Sequence, residues 1–295
     1  MQTKPLIEFP LLAAFWGGSF IFMKIGGAEF GPVLFMALRT LIASLFLYPL
    51  LMWHKQTPAF TENFMKIFVV GVFNTAIPFV LFGWAILYLS AGMTSVLNAT
   101  TPMFGAIVAF FWLKDKLSLS AVFGLIIGFI GVYFLMLDKL LIDANTVIFP
   151  TLAVLLASLC YGISANYTKR YLSDVKPLAL AAGSQVSASI ILVPISLFFL
   201  PQAMPSINAF AAVTALGVIC TGVAYIILFR LIAALGPAKA ISVTYLIPAF
   251  GLLWGSLFLS EVITTWMIVG CLLILTGVGL TTGVIKINAL RLKRI

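Results

Sequence analysis

The sequence predicts an all-α membrane protein in which ten transmembrane helices form two inverted five-helix repeats. Three observations carry that class. The first is hydropathy: 63% of the 295 residues are apolar and only 8% are charged, against about 25% charged in an ordinary soluble chain. Stretches of ~20 apolar residues recur, each long enough to cross a hydrocarbon core of ~30 Å as a helix. Runs such as 122–137 are apolar on every face, whereas a barrel strand alternates between lipid and lumen. The second is self-similarity: residues 16–131 reappear, blurred, as 161–277. At an offset of 145, Gly17 falls on Gly162, Ser19 on Ser164, Lys24 on Lys169 and Pro32 on Pro177. One inserted residue later, at 146, Thr75 falls on Thr221, Pro102 on Pro248, Asp115 on Glu261 and Gly124 on Gly270. The third is charge, which falls almost wholly on one side of a ten-helix path.

The elements follow from the breakers between apolar runs. The first helix covers 6–25 and stops at Gly26, Gly27 and Gly31; Pro32 opens the second, 32–53, and Pro58 lies in the joint before the third, 66–88. The fourth (92–113) and fifth (119–137) complete a first domain of 6–137. The sixth, 147–168, starts a second domain of 147–285, and Pro177 opens the seventh, 177–200. Pro201 and Pro205 precede the eighth, 210–235; Gly236 precedes the ninth, 237–259; the tenth runs 263–285, ahead of a basic tail at 286–295. The first apolar segment lacks a small-residue cleavage site and further spans follow it, so it reads as a membrane helix. Cys160, Cys220 and Cys271 lie inside apolar segments as small hydrophobes, with no disulfide framework.

Ten helices bring both termini to one face. That face holds fourteen of the seventeen Lys and Arg residues, among them Lys55, Lys66, Lys114, Lys169, Arg230 and the four in the tail; the opposite face holds Lys24 and Lys139, and Arg39 lies within a helix. Basic loops stay cytoplasmic, so both termini are expected in the cytoplasm of a multi-pass protein of the cell membrane. The net charge of +9 is then a topology signal, with anionic lipid as a contact for the tail, and no nucleic-acid partner is expected. Five helices per copy is an odd number, so the second copy enters the membrane upside down. Such a repeat offers two exchangeable mouths around a midplane site, the design of a transporter.

The segments WGGSFIFMK (16–24), LRTLIA (38–43) and FVLFGWAILYLSAGMTSVLNATTPMFGAIVAFFWLKDKLS (79–118) resemble an EamA-type domain, and ILFRLIAALGPAKAISVTYLIPAFGLLWGSLFLSEVIT (227–264) matches the pattern again. The chain is thereby similar to the ten-helix drug/metabolite transporter superfamily, EamA branch. The resemblance implies a metabolite permease or exporter working by alternating access, with amino acids, other metabolites and drugs all within the branch. Asp115 stands where that family usually has Glu; the second copy keeps Glu261.

No nucleophile with a nearby base, no metal-ligand cluster and no phosphate loop is present, so no enzyme activity and no cofactor are expected. The candidate site rests on polar and aromatic positions at mid-membrane depth, which are expensive in lipid and face a cavity or another helix. On helix 1, Trp16 and Ser19 share a face, as do Tyr161 and Ser164 on helix 6. Thr75 and Phe79 on helix 3 correspond to Thr221 and Tyr225 on helix 8; Asn98 and Thr101 share a face of helix 4, and Asn98 pairs with Thr244 on helix 9. Singly, each reads as interhelical packing or bonding; as a paired group they read as cavity lining. Asn74 and Gln185 are weaker additions. Arg39 completes the set, either meeting a substrate carboxylate or serving a structural role, snorkelling outward or bonding helix-end carbonyls near the extracellular rim; the structural role is favoured, because the family resembled often has Arg there whatever the substrate.

No Asp or Glu sits at mid-depth. A deep carboxylate is the usual proton relay and the usual counter-ion for cationic drugs, so the expected cargo is a neutral or zwitterionic amphipathic solute, foremost an exported amino acid. A proton-coupled drug exporter is the alternative, and a lipid-handling enzyme or scaffold the rival from another class. Pro102 and Pro248 read as paired bends. Gly124-x-x-x-Gly128 and Gly279-x-x-x-Gly283 allow close helix approach, within the chain or in a homodimer.

Overall fold

The computed structural model describes residues 3–141 and 143–285; the basic tail, 286–295, lies outside the described residues. Nine helices within them are long and apolar enough to cross a membrane: α1 Pro5–Phe30, α2 Pro32–Trp53, α3 Phe64–Ala85, α4 Ala91–Leu113, α5 Leu119–Leu140, α6 Thr146–Tyr171, α7 Pro177–Ser196, α8 Ile207–Leu235 and α9 Lys239–Leu259. The tenth, α10, is Thr265–Thr281, 17 residues or ~25 Å. It is shorter than its apolar run because both ends are fixed. The Thr264 hydroxyl accepts the Met267 N–H at 3.2 Å, and Gly283 turns the chain at φ +76°. A short helix not expected from the sequence, Thr57–Glu62, fills the α2–α3 joint.

Antiparallel neighbours give the bundle two ends. Here the near end is the one where α1 starts and α10 stops, and the far end is where α1 meets α2.

The repeat is written into the packing. Helix α2 packs on its own repeat partner α7, α4 on α9 and α5 on α10, while α1 lies on α8 and α9 as α6 lies on α3 and α4. Matching glycines make matching contacts. A Cβ on Gly71 would sit 3.0 Å from the Ser184 carbonyl oxygen, and one on Gly217 3.2 Å from that of Arg39; Ser184 is the repeat partner of Arg39. Likewise a Cβ on Gly124 would meet the Gly277 carbonyl at 2.5 Å, and one on Gly270 that of Gly131 at 2.8 Å. Lipid tails are as apolar as Leu, so close backbone approach of this kind, and not a hydrophobic drive, holds such helices together. The expected approach at Gly124 and Gly128 is made within one chain, against α10 and Met103, and these positions are covered. Gly279 faces Ile285, and Gly283 lies in the closing turn.

The two turns that join the fourth helix of each repeat to the fifth are also copies. Lys114 and Ser260 are both left-handed, at φ 60° and 53°. The next N–H, of Asp115 or Glu261, bonds the carbonyl of Ala109 or Gly255 at 3.2 and 3.1 Å. Ser118 and Thr264 then cap α5 and α10.

Apart from a π turn at the near end of α4, Ala109–Leu113, the helices depart from regularity at mid-depth. Single π turns occupy Val72–Ala76 in α3 and Val218–Val223 in α8, again repeat partners; such turns concentrate at functional sites. Helix α4 is interrupted at Ala99 and Thr100 just before Pro102, and α9 tightens to a 3₁₀ turn at Ser242–Leu246 just before Pro248. The expected paired bends are there.

Candidate functional site between the two repeats

These irregular segments surround a cavity of about 330 Å³, at the small end of the roughly 300–1,000 Å³ of small-molecule sites. Ten of the twelve candidate residues line it: Trp16, Ser19, Arg39, Phe79, Asn98, Thr101, Tyr161, Thr221, Tyr225 and Thr244. Several hydroxyls donate to their own helix, leaving oxygen lone pairs free. Ser19 bonds the Trp16 carbonyl at 2.5 Å, Thr101 that of Asn98 at 2.8 Å and Thr244 that of Ile241 at 3.0 Å. The wall is aromatic: Phe82 stacks on Tyr161 with centroids 6.0 Å apart and meets Phe20 edge-on at 6.0 Å.

Arg39 is the one charged residue of the lining. It is only 7% exposed. Its Nε donates to Thr221 Oγ1 at 3.2 Å, and Thr221 donates onward to the Leu216 carbonyl at 2.9 Å, a five-residue reach that the π turn creates. The guanidinium carbon lies 3.7 Å from the Phe79 ring centroid, a cation–π contact worth about 2 kcal/mol when desolvated. Held by Thr221 and Phe79, Arg39 has structural contacts other than the two expected forms, snorkelling outward or bonding helix-end carbonyls at the rim. That role belongs to Lys24, whose Nζ donates to the carbonyls of Ile86 at 2.7 Å and Leu89 at 2.9 Å where α3 ends.

Two candidates lie elsewhere. Thr75 is fully buried with its hydroxyl unpartnered. Its repeat partner Thr221 has Arg39 to bond, but the residue that would serve Thr75 is Ser184, which donates instead to the Ala181 carbonyl. Ser164 is buried at 3% and off the lining, because α6 presents Tyr161 and Ala165, one turn apart, to the cavity. Gln185 is likewise buried outside it, with both amide atoms unpartnered. Phe20, Met23, Phe82, Cys220, Tyr245 and Val278 line the cavity without having been expected; the signal for Phe20, Met23 and Phe82 is helical spacing from Trp16 and Phe79, Cys220 and Tyr245 adjoin Thr221 and Thr244, and Val278 carries none.

The cavity's two ends differ. At the far end Glu261 accepts the Ala91 N–H at 2.7 Å and the Gly92 N–H at 3.0 Å, capping α4. Glu29 accepts the Ser206 N–H and hydroxyl at 2.6 and 2.8 Å, joining α1 to α8. A Cβ on Gly251 would run into Ser95, so α4 and α9 are closed on each other there. At the near end Asp115 makes no such cap; it pairs with Lys169 at 3.2 Å, both side chains more than half exposed. Arg230 and Glu8 form a second pair there at 3.3 Å. Gly105, partner of Gly251, has nothing within 4 Å of its Cβ direction, and Ile241, partner of Ser95, is 54% exposed and lines the cavity.

Comparison with known proteins decides the family. The model of the EamA-like transporter family matches the chain twice, over residues 6–137 and 148–283. The chain belongs to the EamA-like transporter family. Among its relatives, the uncharacterized transporter YoaV of Bacillus subtilis is 26% identical over 95% of this chain and 97% of its own length. An uncharacterized transporter of Archaeoglobus fulgidus is 26% identical over 93% and 97%. PagO of Salmonella typhimurium is 24% identical over 73% and 70%. A crystal structure of another protein superposes on 96% of this chain and 98% of its own with a TM-score of 0.65 at 16% identity, a likeness of fold. This EamA-like protein is a multi-pass membrane transporter and not an enzyme.

Proposed function

We propose that this EamA-like transporter is a permease of the cell membrane that exports amino acids or similar small amphipathic solutes by alternating access. One observation carries the reading: around one cavity, contacts related by the repeat are made at the far end and unmade at the near end. Exchanging them would close the near mouth and open the far one, with α4 and α9 rocking about the bends at Pro102 and Pro248. The basic residues support a cytoplasmic near end and cytoplasmic termini. A cavity reaching that end takes cargo from the cytoplasm, which favours export. The lining holds no Asp or Glu, which favours passive flux over carboxylate-mediated proton coupling.

Efflux of pooled labelled amino acids and carboxylic metabolites from proteoliposomes tests this. Saturable efflux that falls at least tenfold in Asn98→Leu and Tyr225→Leu, each still folded, is expected. Flux unchanged in both variants, or no solute moved at all, refutes the reading; flux that collapses without a pH gradient refutes passive transport.

A further inference from the structure

We infer that the cargo is an organic anion whose carboxylate is bound by Arg39 and whose apolar body lies on the aromatic wall. The inference rests on the transporter reading and, among its small amphipathic solutes, selects a monoanion in place of the amino acid. Arg39 is a permanently charged group, 93% buried by its 7% exposure, and belongs to neither the Lys169–Asp115 nor the Arg230–Glu8 pair. The cavity lining offers it no carboxylate. Its protein partners are neutral: the Thr221 hydroxyl on Nε and the Phe79 ring against the guanidinium face. Those two contacts fix the plane of the group. They leave the two terminal nitrogens, which have no bond partner among the described residues, as a fork matched to a carboxylate. An uncompensated cation at this depth is costly and marks the path of a charge-complementary ligand.

The repeat supplies an independent control. Ser184 occupies the corresponding place in the second copy, under the same glycine contact from the neighbouring helix. The same glycine contact is therefore made once without an arginine. The Arg39 charge disfavours cations, and a zwitterionic amino acid would find no carboxylate in the lining for its ammonium. A monoanion with an aryl or alkyl body satisfies the cavity better than the zwitterion expected from the sequence.

Binding to the purified protein, measured by calorimetry at fixed ionic strength, tests this with matched probes: 3-phenylpropanoate, its amide, 2-phenylethylamine and phenylalanine, with hexanoate and hexanamide as an alkyl pair. Each carboxylate should bind at least tenfold tighter than its amide, and the amine should not compete. In Arg39→Gln that preference should fall to about unity, while Arg39→Lys retains part of it. Carboxylate and amide binding equally in the unaltered protein, or a preference that survives Arg39→Gln, overturns the inference. The unaltered protein alone decides if Arg39→Gln does not fold. Saturable flux of a neutral solute with no carboxylate preference would sink this inference and leave the transporter standing; absence of all flux would sink the transporter reading.

Discussion

The far and near ends of the bundle are made from one turn used twice, and they do different work. The backbone of Lys114–Asp115 copies that of Ser260–Glu261 down to the left-handed residue and the amide bond that follows it. Yet Glu261 reaches across to cap α4, and Asp115 does not reach α9. Identical local structure with opposite long-range contacts means that the difference lies in the spacing of the helices around each turn and in the shorter side chain of Asp115, not in how the turns are folded. Sequence adds a bias. Pro237 stands where Ala91 stands in the first copy and has no N–H to offer, so a near-end latch with the far one's geometry would have one donor fewer. The closed far end is the better satisfied of the two.

The largest effect should come from breaking the made latch. Glu261→Ala removes two charge-assisted bonds, each worth about 1.5–3 kcal/mol, so the equilibrium should shift about a hundredfold or more toward the far-open form. A cysteine at Ser95, buried in the present form, should then react with a membrane-impermeant maleimide from the far side; persistent protection would show that Glu261 does not hold that end. Next come the paired glycines. Gly105→Ala meets open space and should fold normally, but its Cβ should obstruct the near end when it closes and slow flux roughly tenfold. Gly251→Ala should perturb the fold seen here, since it collides with Ser95. Equal thermal stability of the two variants would contradict the asymmetry. Pro237→Ala should restore the missing donor and raise the near-closed population several-fold, read as slower labelling of a cysteine at Ile241. Smallest is the split threonine pair: Thr75→Val removes an unpartnered buried hydroxyl and should change stability by less than about 1 kcal/mol, whereas Thr221→Val should cost about 1–3 kcal/mol. A reversed order in thermal unfolding would refute the assignment of Thr221 as the arginine's support.

Helix count, the inverted repeat and most of the cavity were legible in the sequence because each rests on a periodic or paired signal. Hydropathy sets the spans to within a few residues, and pairing Asn98 with Thr244 or Phe79 with Tyr225 places both members on the lining. Thr75 escaped for the same reason that the others succeeded. Pairing assumes that both copies are used alike, and the cavity is not symmetric once Arg39 faces Thr221 and Ser184 faces neither. The π turns at Val72–Ala76 and Val218–Val223 leave no composition signal, so the reach of Thr221 to Leu216 was invisible. Which mouth is shut was not read from the sequence either, because the bias at Pro237 acquires a meaning only once Glu261 is seen on the Ala91 N–H.

Paired spin-label distances at the two ends test the account most directly. One label pair, at Tyr88 and Ile263, spans the far end, and another, at Lys116 and Ile241, spans the near end. The unaltered protein should give a short far distance and a long near one, and Glu261→Ala should exchange them, far lengthening as near shortens. Two distances that stay fixed, or that lengthen together, would contradict alternating closure of the repeat-related mouths.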